Sequence, residues 1–282
     1  MNWKTVRWIL IIIFALLNMV LFGYSRQIDR QMYEVPKARI EDLKTRFADW
    51  GYALPETLPS THYPAAELIL QENDLEARAD QYWDKEFEKS YMVDARVLYS
   101  CGTETLTVDR DHSNMVYTQN RRSYDFSLDK DQWETLAIEA ARRLTKVEDL
   151  TLIRRVKTTG DTIVFNFCER YGGQLLFANQ TVVTVTNGVV VRASMTQYKV
   201  VGFEQQKLNQ YPVDELLYSG LKQLGPAAEG RTGLEQLKVF FGYQIHRIEE
   251  DGIYCVPMVA IIREDGSGLR INRFTDTSTV LS

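Results

Sequence analysis

The sequence of 282 residues contains only three cysteines, which excludes the class of small domains held together by a disulfide framework. Cys101, Cys168 and Cys255 lie far apart in the chain, so an oxidising compartment would permit one bridge at most. Each stands in an apolar, strand-like context, as in the segment Phe165–Cys168. We therefore interpret the cysteines as small core residues, and whether two of them pair stays open.

Catalytic and cofactor motifs are also missing. The sequence has no P-loop, no G-x-G-x-x-G and no G-x-S-x-G. Gly266-Ser267-Gly268 falls in a predicted hairpin turn, where glycine and serine are expected in any case. The histidines show neither H-x-H nor H-x-x-x-H spacing, which argues against zinc; they are His62, His112 and His246. We therefore expect no enzymatic activity, no cofactor, and no catalytic or metal-binding residue.

Two acidic clusters are the nearest approach to a cation site. Asp109-Arg110-Asp111-His112 lies between two strand-like segments, and Glu249-Glu250-Asp251 lies in a predicted turn. Neither has the spaced oxygen ligands of a calcium loop. We interpret both as solvated turns. A pair of carboxylates for glycosidic cleavage stays open, because the distance between two carboxylates is not readable from sequence.

An excess of basic residues is likewise absent. The chain has 33 basic and 38 acidic residues, and none of the acidic ones lies in the first 26 positions. Removing Lys4, Arg7 and Arg26 leaves 30 basic residues against 38 acidic, a net charge of −8 for the remainder. Such a domain is a poor binder of nucleic acid. The charge favours a protein partner or a neutral ligand.

The feature that is present is one long apolar run, from Trp8 to Tyr24. In a helix, about 20 residues cross a bilayer core of ~30 Å, and aromatic residues at the two ends serve as interfacial anchors. Leu21–Arg26 offers bulky residues and no A-x-A-like cleavage site, so an uncleaved anchor is favoured over a secretory signal peptide. We predict a cytoplasmic tail and transmembrane anchor over residues 1–26, with the rest of the chain extracytoplasmic, because the short tail offers little to translocate.

One face of this predicted helix is a candidate partner-binding surface. Asn18 lies in the middle of the span, and its amide can bond a partner helix. The alternatives are that it bonds its own backbone or lies near water. The predicted surface, here called the Asn18 face, consists of Phe14, Ala15, Asn18, Leu21 and Phe22.

Beyond the anchor, the pattern predicts helices separated by many short strands. Pro36 opens a stem helix that ends at Gly51, and a proline-containing linker completes residues 27–66. A second helix is predicted over Leu75–Phe87, a third begins at Ser127 or Asp129, and a fourth follows Pro212. The third helix carries an apolar stripe that we expect to lie on a sheet, formed by Trp133, Leu136, Ala137, Ala140, Ala141, Leu144 and Val147. Strands are predicted at 95–101, 103–109, 114–119, 162–169, 181–186, 189–198, 237–247, 253–263 and 268–274.

The hairpin through Asn187-Gly188 is the clearest β signal, with Val189, Val191, Ala193 and Met195 predicted on one face. The order of a helix and then several hairpin strands occurs twice, over 127–200 and 210–275. We therefore predict an α+β extracytoplasmic part with helices packed on antiparallel sheets. Its two units span 67–205 and 206–282. Tyr117, Tyr124 and Tyr171 are candidates for an exposed contact surface.

The N-terminal segment resembles the YycI (WalI) family of bacterial regulatory membrane proteins. The residues that carry the resemblance are Asn2-Trp3-Lys4, the isoleucine-rich run that starts at Trp8, and Leu17-Asn18 followed by Leu21-Phe22. The C-terminal segments Phe241–Tyr243, Tyr254–Pro257, Asp265-Gly266 and Arg270–Asn272 look like the closing strands of that family. Met258-Val259 and Arg273-Phe274 depart from its pattern, which indicates a divergent member, and the central 150 residues carry no matching motif.

The resemblance implies an accessory protein of the sensor histidine kinase YycG (WalK), which controls cell-wall metabolism in low-GC Gram-positive bacteria. It implies contact with that kinase and with a YycH-like protein, as a homodimer or heterodimer, and no catalytic residues. Asn18 occupies the matching position of the transmembrane segment. Two other functions stay open: an anchored binding or inhibitory module resembling PepSY domains, and a wall-acting hydrolase with carboxylates or histidines converging in a cleft.

Overall fold

The computed structural model describes residues 3–92, 94–111, 113–120, 129, 132–158, 160–227 and 233–281. It is α+β, with one N-terminal apolar helix and a large sheet that is mostly antiparallel. The helices in this part of the chain are α1 (Trp3–Tyr33), α2 (Lys37–Asp49), α3 (Leu75–Ala79), α4 (Gln132–Thr145) and α5 (Val213–Leu224).

The longest of the described strands lie in the second half of the chain. They are β1 (Tyr52–Ala53), β2 (Leu68–Gln71), β3 (Glu88–Tyr91), β4 (Arg96–Cys101), β5 (Glu104–Asp109), β6 (Asn114–Gln119), β7 (Leu150–Lys157), β8 (Thr162–Tyr171), β9 (Gln174–Thr186), β10 (Val189–Thr196), β11 (Lys199–Phe203), β12 (Glu235–Gln236), β13 (Lys238–Glu249), β14 (Gly252–Ile262), β15 (Gly268–Asn272) and β16 (Ser278–Leu281).

Fourteen of the described strands form one sheet, and β1 pairs separately with β12. The main path runs β11-β2-β14-β13-β9-β10-β6-β5-β4-β3. The β15–β16 hairpin adds to β14, and the β7–β8 hairpin adds to β9. Consecutive hairpins account for most of the antiparallel pairs, whereas the pairing of β9 with β13 is parallel and joins segments more than 60 residues apart.

The sheet forks at β9. One edge of β9 bonds β8 along most of its length. The other edge bonds β13 at Leu175 and Leu176, and then bonds β10 from Gln180 onward. The residues between, 177–179, form a bulge that has no ladder partner on β8. Two strands therefore leave the same edge of β9 in different directions.

Gly242 permits the parallel joint between β9 and β13. A Cβ atom at this position would overlap the Leu175 carbonyl oxygen and lie 2.8 Å from the Phe177 ring. Glycine is required here for close approach of two backbones rather than for a positive φ.

The first core lies under α4. This helix packs its Trp133, Ala137, Ala141 and Leu144 face against β8, β9 and β10. The same core includes residues from α3, β4, β5 and β6, so α4 covers the part of the sheet beyond the fork. The helix, its stripe and its sheet partner agree with the sequence prediction, although the predicted start at Ser127 lies outside the described residues.

The second core lies between α2, α5 and the C-terminal strands. Leu43 and Phe47 of α2 meet Leu216 and Leu217 of α5 above Ile261 of β14. The predicted stem helix is therefore packed into this core, since its apolar stripe needs a covering surface and α5 supplies one. These contacts join residues of the predicted 27–66 and 206–282 segments, and the domain boundaries themselves stay predictions.

Two local predictions were wrong. The helix predicted over Leu75–Phe87 ends at Ala79, and the chain continues through turns that place the side chains of Tyr82 and Trp83 in the first core. In β10, a bulge between Val190 and Arg192 shifts the register. Val190, rather than the predicted Val189 and Val191, therefore packs on the core beside Ala193 and Met195.

The cysteine interpretation is confirmed for Cys168 and Cys255, which are buried, while Cys101 is half-buried. All three thiols are free. Burial raises the pKa of the Cys168 thiol to about 12, which makes it a poor nucleophile.

Replacing Gly242 with alanine should destabilise the fold at the joint. We expect a loss of about 1–3 kcal/mol in the free energy of unfolding, because the new methyl group meets backbone that cannot move aside easily. Urea unfolding of the full chain in detergent micelles measures this loss. Gly202→Ala on β11 is the matched control, since a Cβ there meets nothing within 4 Å. Equal losses in the two variants would contradict this account of the joint.

Candidate functional site

Helix α1 leaves its apolar surface uncovered. Its segment Val6–Tyr33 is long and apolar enough to cross a membrane, and the most apolar 18-residue stretch of that segment has no residue buried against the rest of the protein. Every residue from Trp8 to Tyr24 is exposed. Each large apolar side chain gains roughly 1.5–3 kcal/mol on leaving water, so such a surface needs a covering of lipid or protein.

The five predicted contact residues share one face of α1. Phe14, Ala15, Asn18, Leu21 and Phe22 follow the spacing i, i+1, i+4, i+7 and i+8, and all are exposed. The Asn18 Nδ2 atom donates a hydrogen bond of 2.8 Å to the Phe14 carbonyl oxygen. The amide is thus partly satisfied within its own helix, and among the described contacts its oxygen accepts no hydrogen bond. That oxygen remains available to a donor on a partner helix.

The C-terminal end of α1 is fixed to the folded part by a short stretch of antiparallel contacts. The His62 amide donates to the Tyr33 carbonyl at 3.0 Å, and the Val35 amide donates to the Ser60 carbonyl at 2.5 Å. The Tyr33 ring lies 5.6 Å from the His62 ring and 5.7 Å from the Tyr63 ring. Val35 is buried in the core of α2 and α5. This α1 junction, residues 33–35 with 60–63, passes the chain into the domain without a free linker.

His62 lies in a mixed electrostatic environment at this junction. Burial lowers its pKa, the nearby Asp214 carboxylate opposes that shift, and the Arg273 guanidinium adds to it. Its Nδ1 atom is buried and has no hydrogen-bond partner among the described residues. The net effect keeps the imidazole neutral at physiological pH.

A cleft of about 350 Å³ opens between α2 and α5, beside the α1 junction. Carboxylates from Asp42, Asp214, Glu215 and Asp276 line it. This is the arrangement that the hydrolase alternative needs. However, Asp214 is only 3% exposed and pairs with the Arg39 guanidinium at 2.6 Å.

Asp42 is engaged in a similar way. It pairs with Arg46 at 2.9 Å and accepts a hydrogen bond of 3.3 Å from the Tyr218 hydroxyl. The Arg39–Asp214 pair joins α2 to α5, and the Arg46–Asp42 pair joins two successive turns of α2. The arrangement therefore fits a clamp between the two helices better than a catalytic pair.

The acidic clusters singled out from the sequence are exposed turns, as predicted. Asp111 and the segment Glu249–Asp251 are exposed, and Arg110 pairs with Glu76 at 2.6 Å. His112 lies outside the described residues. No group of three or more His, Cys, Asp or Glu side chains within the described ranges is arranged to hold a metal ion.

Of the three tyrosines predicted at an exposed surface, Tyr171 is 38% exposed and its ring lies 6.2 Å from that of Phe203. The prediction for Tyr117 was wrong, because its ring is buried beside Tyr82 at 5.8 Å. Tyr124 falls outside the described residues.

A buried polar network around Glu169 was not predicted from the sequence. Its carboxylate accepts a hydrogen bond of 2.9 Å from Asn179 and another from Gln197, and Gln197 in turn accepts one from Arg78. Burial raises the pKa of Glu169, while its two amide donors act in the opposite direction. Arg78 also donates to the Thr145 carbonyl at 2.8 Å, so the network ties α3 to the end of α4. No pattern in the sequence signals it, since its members are up to 119 residues apart.

Comparison with known proteins supports the fold alone. No family model matches the chain, and no curated protein matches it. Among solved structures, the chain is similar to an uncharacterized protein from Eubacterium rectale ATCC 33656, with 9% sequence identity and a TM-score of 0.51. The match covers 82% of this chain and 90% of that one.

Removing the Arg39 side chain should loosen the clamp between α2 and α5. In Arg39→Ala the buried Asp214 carboxylate loses its partner, and we expect the free energy of unfolding to fall by about 1–3 kcal/mol. Arg46→Ala, which breaks an exposed pair on the same helix, should cost less than about 1 kcal/mol. Thermal unfolding of both full-length variants compares them. An equal loss in the two would show that the Arg39–Asp214 pair is not a structural clamp.

Proposed function

We propose that this chain is a single-pass membrane protein that regulates a sensor histidine kinase by protein–protein contact. In this proposal the N-terminus is cytoplasmic, and residues 27–282 are extracytoplasmic. The resemblance of the N-terminal segment to the YycI family makes YycG (WalK) the candidate kinase and cell-wall metabolism the candidate output. A YycH-like protein is the candidate third partner.

The exposed apolar surface of α1 is the observation that carries the proposal. A helix of 31 residues is about 46 Å long, enough for a bilayer core of about 30 Å with several turns beyond it. The Asn18 face presents aromatic and aliphatic side chains around one amide oxygen. Inside a membrane, such a surface favours packing against another helix, since hydrogen-bonding groups there have no water as an alternative.

The α1 junction supports a regulatory role. Because Tyr33 and Val35 are bonded to the loop at Ser60 and His62, a movement of the domain is transmitted to α1. The cleft of ion pairs between α2 and α5 lies next to this point. A contact on the outer domain and a contact in the membrane are thereby mechanically linked, which an accessory protein of a transmembrane kinase requires.

One observation favours a second candidate, an anchored binding module resembling PepSY domains. Helix α4 is followed by the strands β7–β10, and helix α5 is followed by β13–β16. Each helix packs on strands of its own unit, α4 on β8–β10 and α5 on β15. A module of this kind would bind a protease or a peptide instead of a kinase.

The test replaces the polar centre of the Asn18 face. In Asn18→Leu we expect the amount of YycG that co-purifies with the full chain from detergent-solubilised membranes to fall about three- to tenfold, because one interhelical hydrogen bond is lost. Expression of kinase-dependent wall genes should change with it. Phe14→Ala on the same face should act in the same direction.

Leu16→Ala is the matched control, since it trims a large side chain on the opposite face of α1. Unchanged co-purification and unchanged gene expression in both Asn18→Leu and Phe14→Ala would remove the intramembrane mechanism. Capture of a defined protease or peptide by the wild-type chain, with no kinase, would favour the PepSY-like alternative.

A further inference from the structure

The fork in the sheet opens a second cleft, of about 280 Å³, where β10 and β13 part from β9. It is here called the fork cleft. Its lining includes Phe177, Gln180, Tyr198, Gln244, Ile245 and Arg270. On this edge of β9, pairing with β13 ends at Leu176 and pairing with β10 begins at Gln180. The cleft lies at the gap between these two pairings.

Among the described residues, Arg270 is the one charged side chain in the lining of the fork cleft. It lies on β15 between the buried residues Leu269 and Ile271, so its side chain points to the opposite face of the strand. The guanidinium carbon lies 4.7 Å from the centre of the Phe177 ring, and one terminal nitrogen donates to Gln244 Oε1 at 3.3 Å. The Nε atom is buried and has no hydrogen-bond partner among the described residues.

No carboxylate in the described part of the chain balances this charge. Burial lowers the pKa of Arg270, and among the described residues the buried thiol of Cys168 is the titratable group that opposes the shift. Arg247 and Arg263 have polar partners, whereas Arg273, which is also buried, has no carboxylate partner among the described contacts. Arg247 pairs with Glu67 and Glu249, each at 2.7 Å, and Arg263 donates hydrogen bonds of 2.6 Å to the Tyr52 hydroxyl and the Leu224 carbonyl.

A half-buried guanidinium without an anion is costly to the fold. The Arg270 guanidinium lies at the wall of a cleft, where a bound anion would supply the missing hydrogen-bond acceptor and offset this cost. The planar guanidinium matches a carboxylate in a bidentate geometry. A single positive charge balances one carboxylate, whereas phosphate sites in proteins gather several donors and charges.

The remaining walls fit a peptide-like molecule. Gln244 accepts from Arg270 through its oxygen, which leaves its amide group to donate to a ligand carbonyl. Phe177 and Ile245 provide apolar contact. The volume is close to the lower end of ligand pockets, at roughly 300 Å³, which suits one or two amino-acid residues.

We propose that the fork cleft binds the free carboxylate of a short peptide or amino-acid ligand, with Arg270 as the partner of the anion. This site does not depend on the proposed kinase regulation. It lies on the sheet rather than on α1, and its test requires no partner protein.

The experiment compares two probes on the full chain in detergent micelles by isothermal titration calorimetry: N-acetyl-alanyl-alanine with a free carboxylate, and the same dipeptide as its C-terminal amide. We expect the free acid to bind at least about tenfold more tightly than the amide. Arg270→Met should remove this preference without lowering the melting temperature, because it also removes an unpaired buried charge. Arg192→Met, at an exposed position on β10, is the matched control and should keep the preference.

Equal affinity for the two probes, or the same preference in Arg270→Met as in the wild type, would overturn the proposal. Inorganic phosphate displacing the free acid at equal concentration would overturn the assignment to a carboxylate. If Arg270→Met does not fold, Arg270→Lys replaces it, which keeps the charge and loses the planar pair of donors. We expect the preference for the free acid to be weakened in that variant, and a preference equal to the wild type would contradict the role of Arg270.

Discussion

The apolar surface of α1 is the constraint on which the rest of the structure depends. From Trp8 to Tyr24 every side chain is exposed, and no described part of the protein covers it. The described part of the protein does not cover this apolar surface, so lipid or another protein must cover it. The folded part is bound directly to the end of this helix through Tyr33 and Val35, so whatever holds α1 also fixes the position of the sheet.

The second organising feature is the edge of β9 that bonds two strands in succession. Gly242 brings β13 close to Leu175, and β10 takes over the same edge at Gln180. The core under α4 lies on the β10 side of the fork, the strands of the second core lie on the β13 side, and the fork itself leaves a cleft beside β9. The unpaired Arg270 lies in that cleft, so a costly charge is found where the sheet itself creates room for a ligand.

The sequence predicted features that depend on neighbouring residues. The apolar run of α1, the stripe of α4, the proline at the start of α5 and the turn at Asn187-Gly188 are all local patterns, and each is confirmed as an element. The features that the sequence did not predict depend on contacts between residues far apart in the chain. The covering of α2 by α5, the parallel pair of β9 and β13, the network of Glu169 and the isolation of Arg270 each join distant parts of the chain. The bulge after Val190 was not predicted either. It changes which side chains of β10 face the core, whereas the prediction assumed strict alternation along the strand.

Membrane insertion with an external domain is the central claim, and labelling on intact cells tests it most directly. The full chain carries Cys101→Ser, which removes the half-buried thiol, and Lys199→Cys, which places a thiol at an exposed position on β11. The account predicts that the chain stays in membranes washed with alkaline carbonate. It also predicts that a membrane-impermeant maleimide labels position 199 before the cells are lysed. Release into the carbonate supernatant, or labelling only after lysis, would contradict it.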